Sequence, residues 1–215
     1  MVVEGKDEIS LRRFKWLLKQ RGYRFWPEDR LEEVIQVRGT RPDFYVRTPW
    51  CDFLAEVESF EKSSVVDLNP NRVFTVNPKD LVKRISGACK KAARQLKPYA
   101  NLGLPMVIVL DNWRQIGIPL DPLHLVQLFG MIEFRVPVSP EDGVIQRPYL
   151  VHGKSRRFSP EQHCHISAVV VPVPLVRYLE DDFTEERPMR VRVLHNPFAN
   201  VPLPREVFWA RRILW

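Results

Sequence analysis

The chain has 215 residues, 45% hydrophobic and 27% charged, with a net charge of +7. That balance is ordinary for a soluble globular protein, and the length suffices for one domain with a substantial core. No run of about 18 apolar residues occurs and MVVEGKDEIS lacks the pattern of a secretory signal, so neither a membrane span nor export is expected.

Residues 7–21, DEISLRRFKWLLKQR, set Ile9, Leu11, Phe14, Leu17 and Leu18 near helical spacing and stop at Gly22, which predicts a helix with an apolar stripe. Residues 28–38 read as a short helix or strand that leads into a turn at Gly39-Thr40. Residues 61–77, with Asn69-Pro70-Asn71, read mostly as loop. The strongest helix signals lie over 78–97: Asn77 as cap, Pro78 in the first turn, Asp80 against the N-terminal dipole and Pro98 at the stop. Ile85, Cys89, Ala92 and Leu96 belong to its apolar stripe, while Lys83, Lys90, Arg94 and Lys97 share a different face. Pro105 to Leu110 is an unbroken apolar run, as expected of a central parallel strand covered on both sides. Beyond Asn112, DPLHLVQLFG predicts a helix capped by Asp121, and MIEFRVPV, GVIQRPYLV and HISAVVVPV predict strands. HNPFANVPLP is extended, and REVFWARRILW is a strand or a helix. The expected organisation is a single domain, residues 1–215, with a core over roughly 7–112 and a β-rich extension over 113–215.

The most informative segment is RPDFYVRTPWCDFLAEVESF, residues 41–60. Glu56 and Glu58 stand two apart and share one face of a strand, and Phe53, Ala55 and Val57 occupy the other. Pairing the two runs around RTPWCD with Val46 opposite Phe53 sets Asp43 across from Glu56. Directly opposed like charges repel. Three carboxylates on an apolar hairpin call for a counter-charge, and a hard divalent cation such as Mg²⁺ supplies one. An acidic solvated face is the plainer alternative, and the apolar neighbours count against it.

Pro42-Asp43, a gap, then Glu56-Val57-Glu58 resembles the motif of the PD-(D/E)XK nuclease superfamily, and the resemblance covers roughly residues 30–112. The basic helix with KKAARQLK followed by the strand LPMVIVLDN continues the order of elements that family uses. The resemblance implies an α/β restriction-endonuclease-like fold, a mixed central sheet flanked by helices. It also implies a Mg²⁺ or Mn²⁺ site formed by Asp43, Glu56, Glu58 and the carbonyl of Val57. One departure stands out: Glu58 occupies the position where the family usually carries Lys. Some members use Glu there, and in others a basic or amide residue on the following helix takes over. Lys83, Lys90, Lys91, Arg94 and Gln95 are the candidates, with Lys90, Arg94 and Gln95 placed in the site; Lys62 is a further candidate.

Charge supports a polyanionic partner. Residues 1–100 hold 20 Lys and Arg against 14 Asp and Glu, whereas residues 101–215 hold 13 against 12. A basic surface beside acids suits nucleic acid, DNA in the first place. HGKSRR at 152–157 has three cations but lacks the spacing of a P-loop, so it reads as a hairpin tip. His163 and His165 have no partners at zinc spacing, and Cys51, Cys89 and Cys164 are read as free thiols of a reducing cytoplasm. The expected activity is phosphodiester hydrolysis. The competing expectations are a non-catalytic nucleic-acid-binding or scaffold protein that keeps the fold, and a phosphatase for small phosphoesters. Oligomeric state is left open, a homodimer included.

Overall fold

Helix α1 (Glu8–Gln20) buries Phe14, Leu17 and Leu18, the stripe that its sequence spacing sets on one side. It ends where Gly22 turns left-handed (φ +69°), with the Gly22 N–H returning to the Lys19 carbonyl and that of Tyr23 to Leu18. Strand β1 (Arg24–Pro27) follows, then a 3-10 turn over Glu28–Glu33. Strands β2 (Phe44–Arg47) and β3 (Asp52–Ser59) form an antiparallel hairpin with Val46 opposite Phe53, the register expected from the turn. Helix α2 (Pro78–Leu96) and a 3-10 segment (Lys97–Leu102) lead to β4 (Met106–Asp111), which runs parallel to β3. The order helix, hairpin, basic helix, buried parallel strand is therefore the one expected. This computed structural model describes residues 8–37, 39–60, 78–112, 120–130, 132–139, 141, 143–145, 147, 149–152, 157–174 and 189–209.

The later half contributes α3 (Pro122–Val126), β5 (Ile132–Arg135), β6 (Tyr149–His152), β7 (Ala168–Pro174) and β8 (Met189–His195). Asp121 caps α3, accepting the His124 N–H at 3.1 Å. β5 and β6 pair as a separate ribbon, whereas β7 lies parallel to β4 and β8 antiparallel to β7. The result is an open mixed α/β sheet of six strands, ordered β1-β2-β3-β4-β7-β8. Its core thus extends into the stretch expected to be an extension. Among the described residues no helix is long and apolar enough to cross a membrane.

Alternation along the central strands explains the layers. Tyr45, Leu54, Met106, Ile108 and Leu110 meet Ile85, Cys89, Ala92 and Leu96 of α2 on one face. Phe44, Phe53, Ala55, Val57, Val107 and Val109 meet Phe14, Leu17 and Leu18 of α1 on the other. β3 and β4 are covered on both faces, hence the unbroken apolar run of β4 and the burial of β3 from Phe53 to Glu58, its two acids included. Glu56 and Glu58 stand on the α2 face.

Candidate active site at the end of the β2–β3 hairpin

Proline at 42 creates the site. Hydrogen-bonded pairs of the hairpin fall at 48 with 51, 46 with 53 and 44 with 55, so the next would be Pro42 with Val57. Such a pair exchanges two N–H···O bonds, and proline has no N–H to give the Val57 carbonyl. The Asp43 side chain enters where the ladder stops: its Oδ2 accepts the Val57 N–H at 2.7 Å. The Asp43 N–H points back to Glu56 Oε2 at 3.3 Å. Two carboxylates are thereby packed side by side, with Asp43 2% and Glu56 0% exposed. The Val57 carbonyl faces the same edge.

Glu58 lies one pleat further along and is 6% exposed. Its Oε2 takes Lys91 Nζ of α2 at 2.8 Å. The structure thus brings Lys91 to the acids. Lys90 is one residue and about 100° round the helix from it, so it leaves the flank of that contact. Arg94, three residues on, is an exposed neighbour of Lys91 with no ion pair to the acids among the described residues. Gln95 is one turn beyond Lys91 on the same flank, and its Oε1 has no hydrogen-bond partner among the described residues. Lys62 lies outside the described residues. Among those described, no group of three or more His, Cys, Asp and Glu side chains is gathered to hold a metal ion. What the hairpin does offer is an all-oxygen donor set, two carboxylates and a carbonyl, that suits a hard cation keeping several waters.

Asp43 also lines an open cleft of about 390 Å³ with Lys15 of α1, Arg41, Glu28 and Asp29. Lys15 Nζ stands 5.9 Å from the centre of the Phe44 ring, and Arg41 pairs with Glu32. Neither cation was expected at the site. Arg41 could have been noticed, two residues ahead of Asp43; Lys15 could not, because only tertiary packing sets α1 beside Pro42.

The other reactive groups are placed elsewhere. Burial pushes the Cys89 thiol up to about 12 and Cys51 to about 11, which leaves both protonated and poorly nucleophilic near neutrality. Burial holds His163, His165 and His195 below their ordinary value of 6.5. The unfolded chain therefore takes up these protons first, and stability present above about pH 6.5 is lost on acidification. Thermal melts should show a lower Tm at pH 5.5 than at 7.5, with a smaller gap in a His163→Gln/His165→Gln variant. An unchanged gap would assign the loss to other groups. No family model matches the chain, and neither a curated protein nor a solved structure does.

Proposed function

We propose that the chain is a Mg²⁺- or Mn²⁺-dependent nuclease with a restriction-endonuclease-like fold, acting on nucleic acid, DNA in the first place, in a reducing cytoplasm. The observation that carries this is the pair Asp43 and Glu56, buried together where Pro42 leaves the Val57 carbonyl without a ladder donor. These three groups would hold the cation. When bound, such an ion supplies an acidified water and charge stabilisation at the phosphoryl oxygens. Lys91, steadied by Glu58, would take the place of the family's motif lysine, a cation next to the reacting phosphate. Lys15 and Arg41 at the cleft would bind the anionic backbone on the Asp43 side. Of the other residues expected in the same site, Arg94 and Gln95 would be phosphate contacts further out on α2, and Lys90 stands on the other flank of the helix.

A second reading is favoured by one observation: the third acid, Glu58, is neutralised by Lys91, as in a non-catalytic nucleic-acid-binding protein that has kept the fold. Plasmid DNA and single-stranded RNA, each incubated with Mg²⁺ or Mn²⁺, separate the two. Wild type should nick or degrade at least one polymer, and EDTA should stop it. Asp43→Asn and Lys91→Ala should each lower the rate by about 10²–10³-fold, the usual cost of losing one group that stabilises the transition state. Binding without cleavage under both metals would establish the second reading.

A further inference from the structure

A second basic cluster lies on the flank of α2 that faces away from Glu58. Ser86, Lys90, Ala93 and Lys97 recur at steps of four, three and four residues and form one stripe along the helix. Two contacts from the later half of the chain add bases to that stripe. Arg157 Nε donates to Ser86 Oγ, and His165 Nε2 donates to the Ala93 carbonyl at 2.8 Å. His163 packs edge-on against His165, ring centres 5.8 Å apart. Burial holds the His163 ring below its ordinary value, and the charges of Arg157, Lys90 and Lys97 act in the same direction. Lys90 and Lys97 are exposed, and neither has a carboxylate partner among the described residues. Glu161, the acid of the same turn, accepts from Ser159 Oγ. His163 itself takes a left-handed backbone (φ +56°), the one non-glycine residue to do so among those described. That conformation is sparsely populated and gathers where function requires it. Lys90, Lys97 and Arg157 outnumber Glu161 in this cluster, and an anion relieves the remaining repulsion among the cations.

We propose that Lys90, Lys97, Arg157 and the His163–His165 pair form a separate binding site for the phosphodiester backbone of nucleic acid. The choice of ligand rests on the nucleic-acid reading above, although no step of the metal chemistry is involved. A row suits a linear polyanion better than a single phosphate. From Ser86 to Lys97 the stripe is about 16 Å long, the axial length of four to five phosphates on one strand of a duplex. α2 then separates two surfaces: Lys91 on the side of the acids, the Lys90–Lys97 row on the side of β7.

Fluorescence anisotropy with labelled duplex DNA and single-stranded RNA, in EDTA, tests the site without cleavage. Lys90→Ala/Lys97→Ala should bind roughly tenfold or more weakly near 0.1 M salt and lower the slope of log Kd against log salt by about two. Arg24→Ala/Arg190→Ala removes the same charge from exposed positions on β1 and β8 and should change binding far less. Circular dichroism checks that both variants are folded. Equal effects of the two pairs, an unchanged slope in the lysine pair, or no binding of either polymer by wild type would each overturn the proposal. A lysine pair that binds normally while wild type still cleaves with Mg²⁺ would remove this site and leave the nuclease reading intact.

Discussion

Glu56→Gln is expected to melt above the wild type in EDTA and to lose the further rise that Mg²⁺ gives the wild type. Glu56 is wholly buried and adjoins Asp43, itself 2% exposed. Taking a carboxylate out of water is costly, and a second one alongside raises that cost. Glutamine keeps the shape and an oxygen to accept the Asp43 N–H, so the substitution is aimed at the charge. Relief of about 1–3 kcal/mol would lift the Tm of a chain this size by roughly 3–10 °C. The cation stabilises the native state by mass action, about 2.7 kcal/mol at a hundredfold excess over its dissociation constant. In saturating Mg²⁺ the wild type should therefore gain while the variant does not, and the lead of the variant should shrink or reverse. Such a crossing is the mark of a site kept for function at the expense of stability. A variant that melts lower in EDTA would make Glu56 a structural residue; equal Mg²⁺ shifts in both proteins would remove the metal site.

The parts of the fold that were readable are those governed by local rules. The hairpin register followed from the turn and from alternation, which is why Val46 meets Phe53 and Asp43 meets Glu56. α2 and β4 followed from stripe and run. β1 was not legible: Arg24–Pro27 is too short to show a period and ends in proline. β8 carries a readable period of two, with Met189, Val191 and Val193 alternating with Arg190 and Arg192. The choice of Lys91 over Lys90 was beyond the helix's own residues. A stripe fixes which residues are buried, but which flank meets the acids depends on where β4 lies relative to β3. The right-handed rule for parallel crossovers carries that information.

The buried ion pair between Arg13 and Asp111 was the least visible feature, and its loss should produce the largest change in stability. Arg13 Nε lies 2.9 Å from Asp111 Oδ2, and both side chains are 1% exposed. In sequence Arg13 is one half of an Arg-Arg dipeptide on a charged helix, and Asp111 is the end of an apolar run. The signal was phase: Ser10, Arg13, Phe14, Leu17 and Leu18 are all buried positions of one helical face, so a charge at 13 must go inside. Its partner is 98 positions away at the end of β4, on the sheet face that α1 covers. The pair therefore fixes where the first helix docks on the central strands, next to the end of β3. Arg13→Met retains the aliphatic bulk but leaves the Asp111 carboxylate buried without its cation, and urea denaturation should show a loss of about 3–5 kcal/mol. The double variant Arg13→Met/Asp111→Leu removes both charges and should recover most of that loss, because apolar side chains of similar volume commonly replace a buried pair without penalty. A single variant that loses less than about 1 kcal/mol would place the pair among exposed ones in energetic terms. A double variant no better than the single would show that Arg13 holds α1 through contacts other than Asp111.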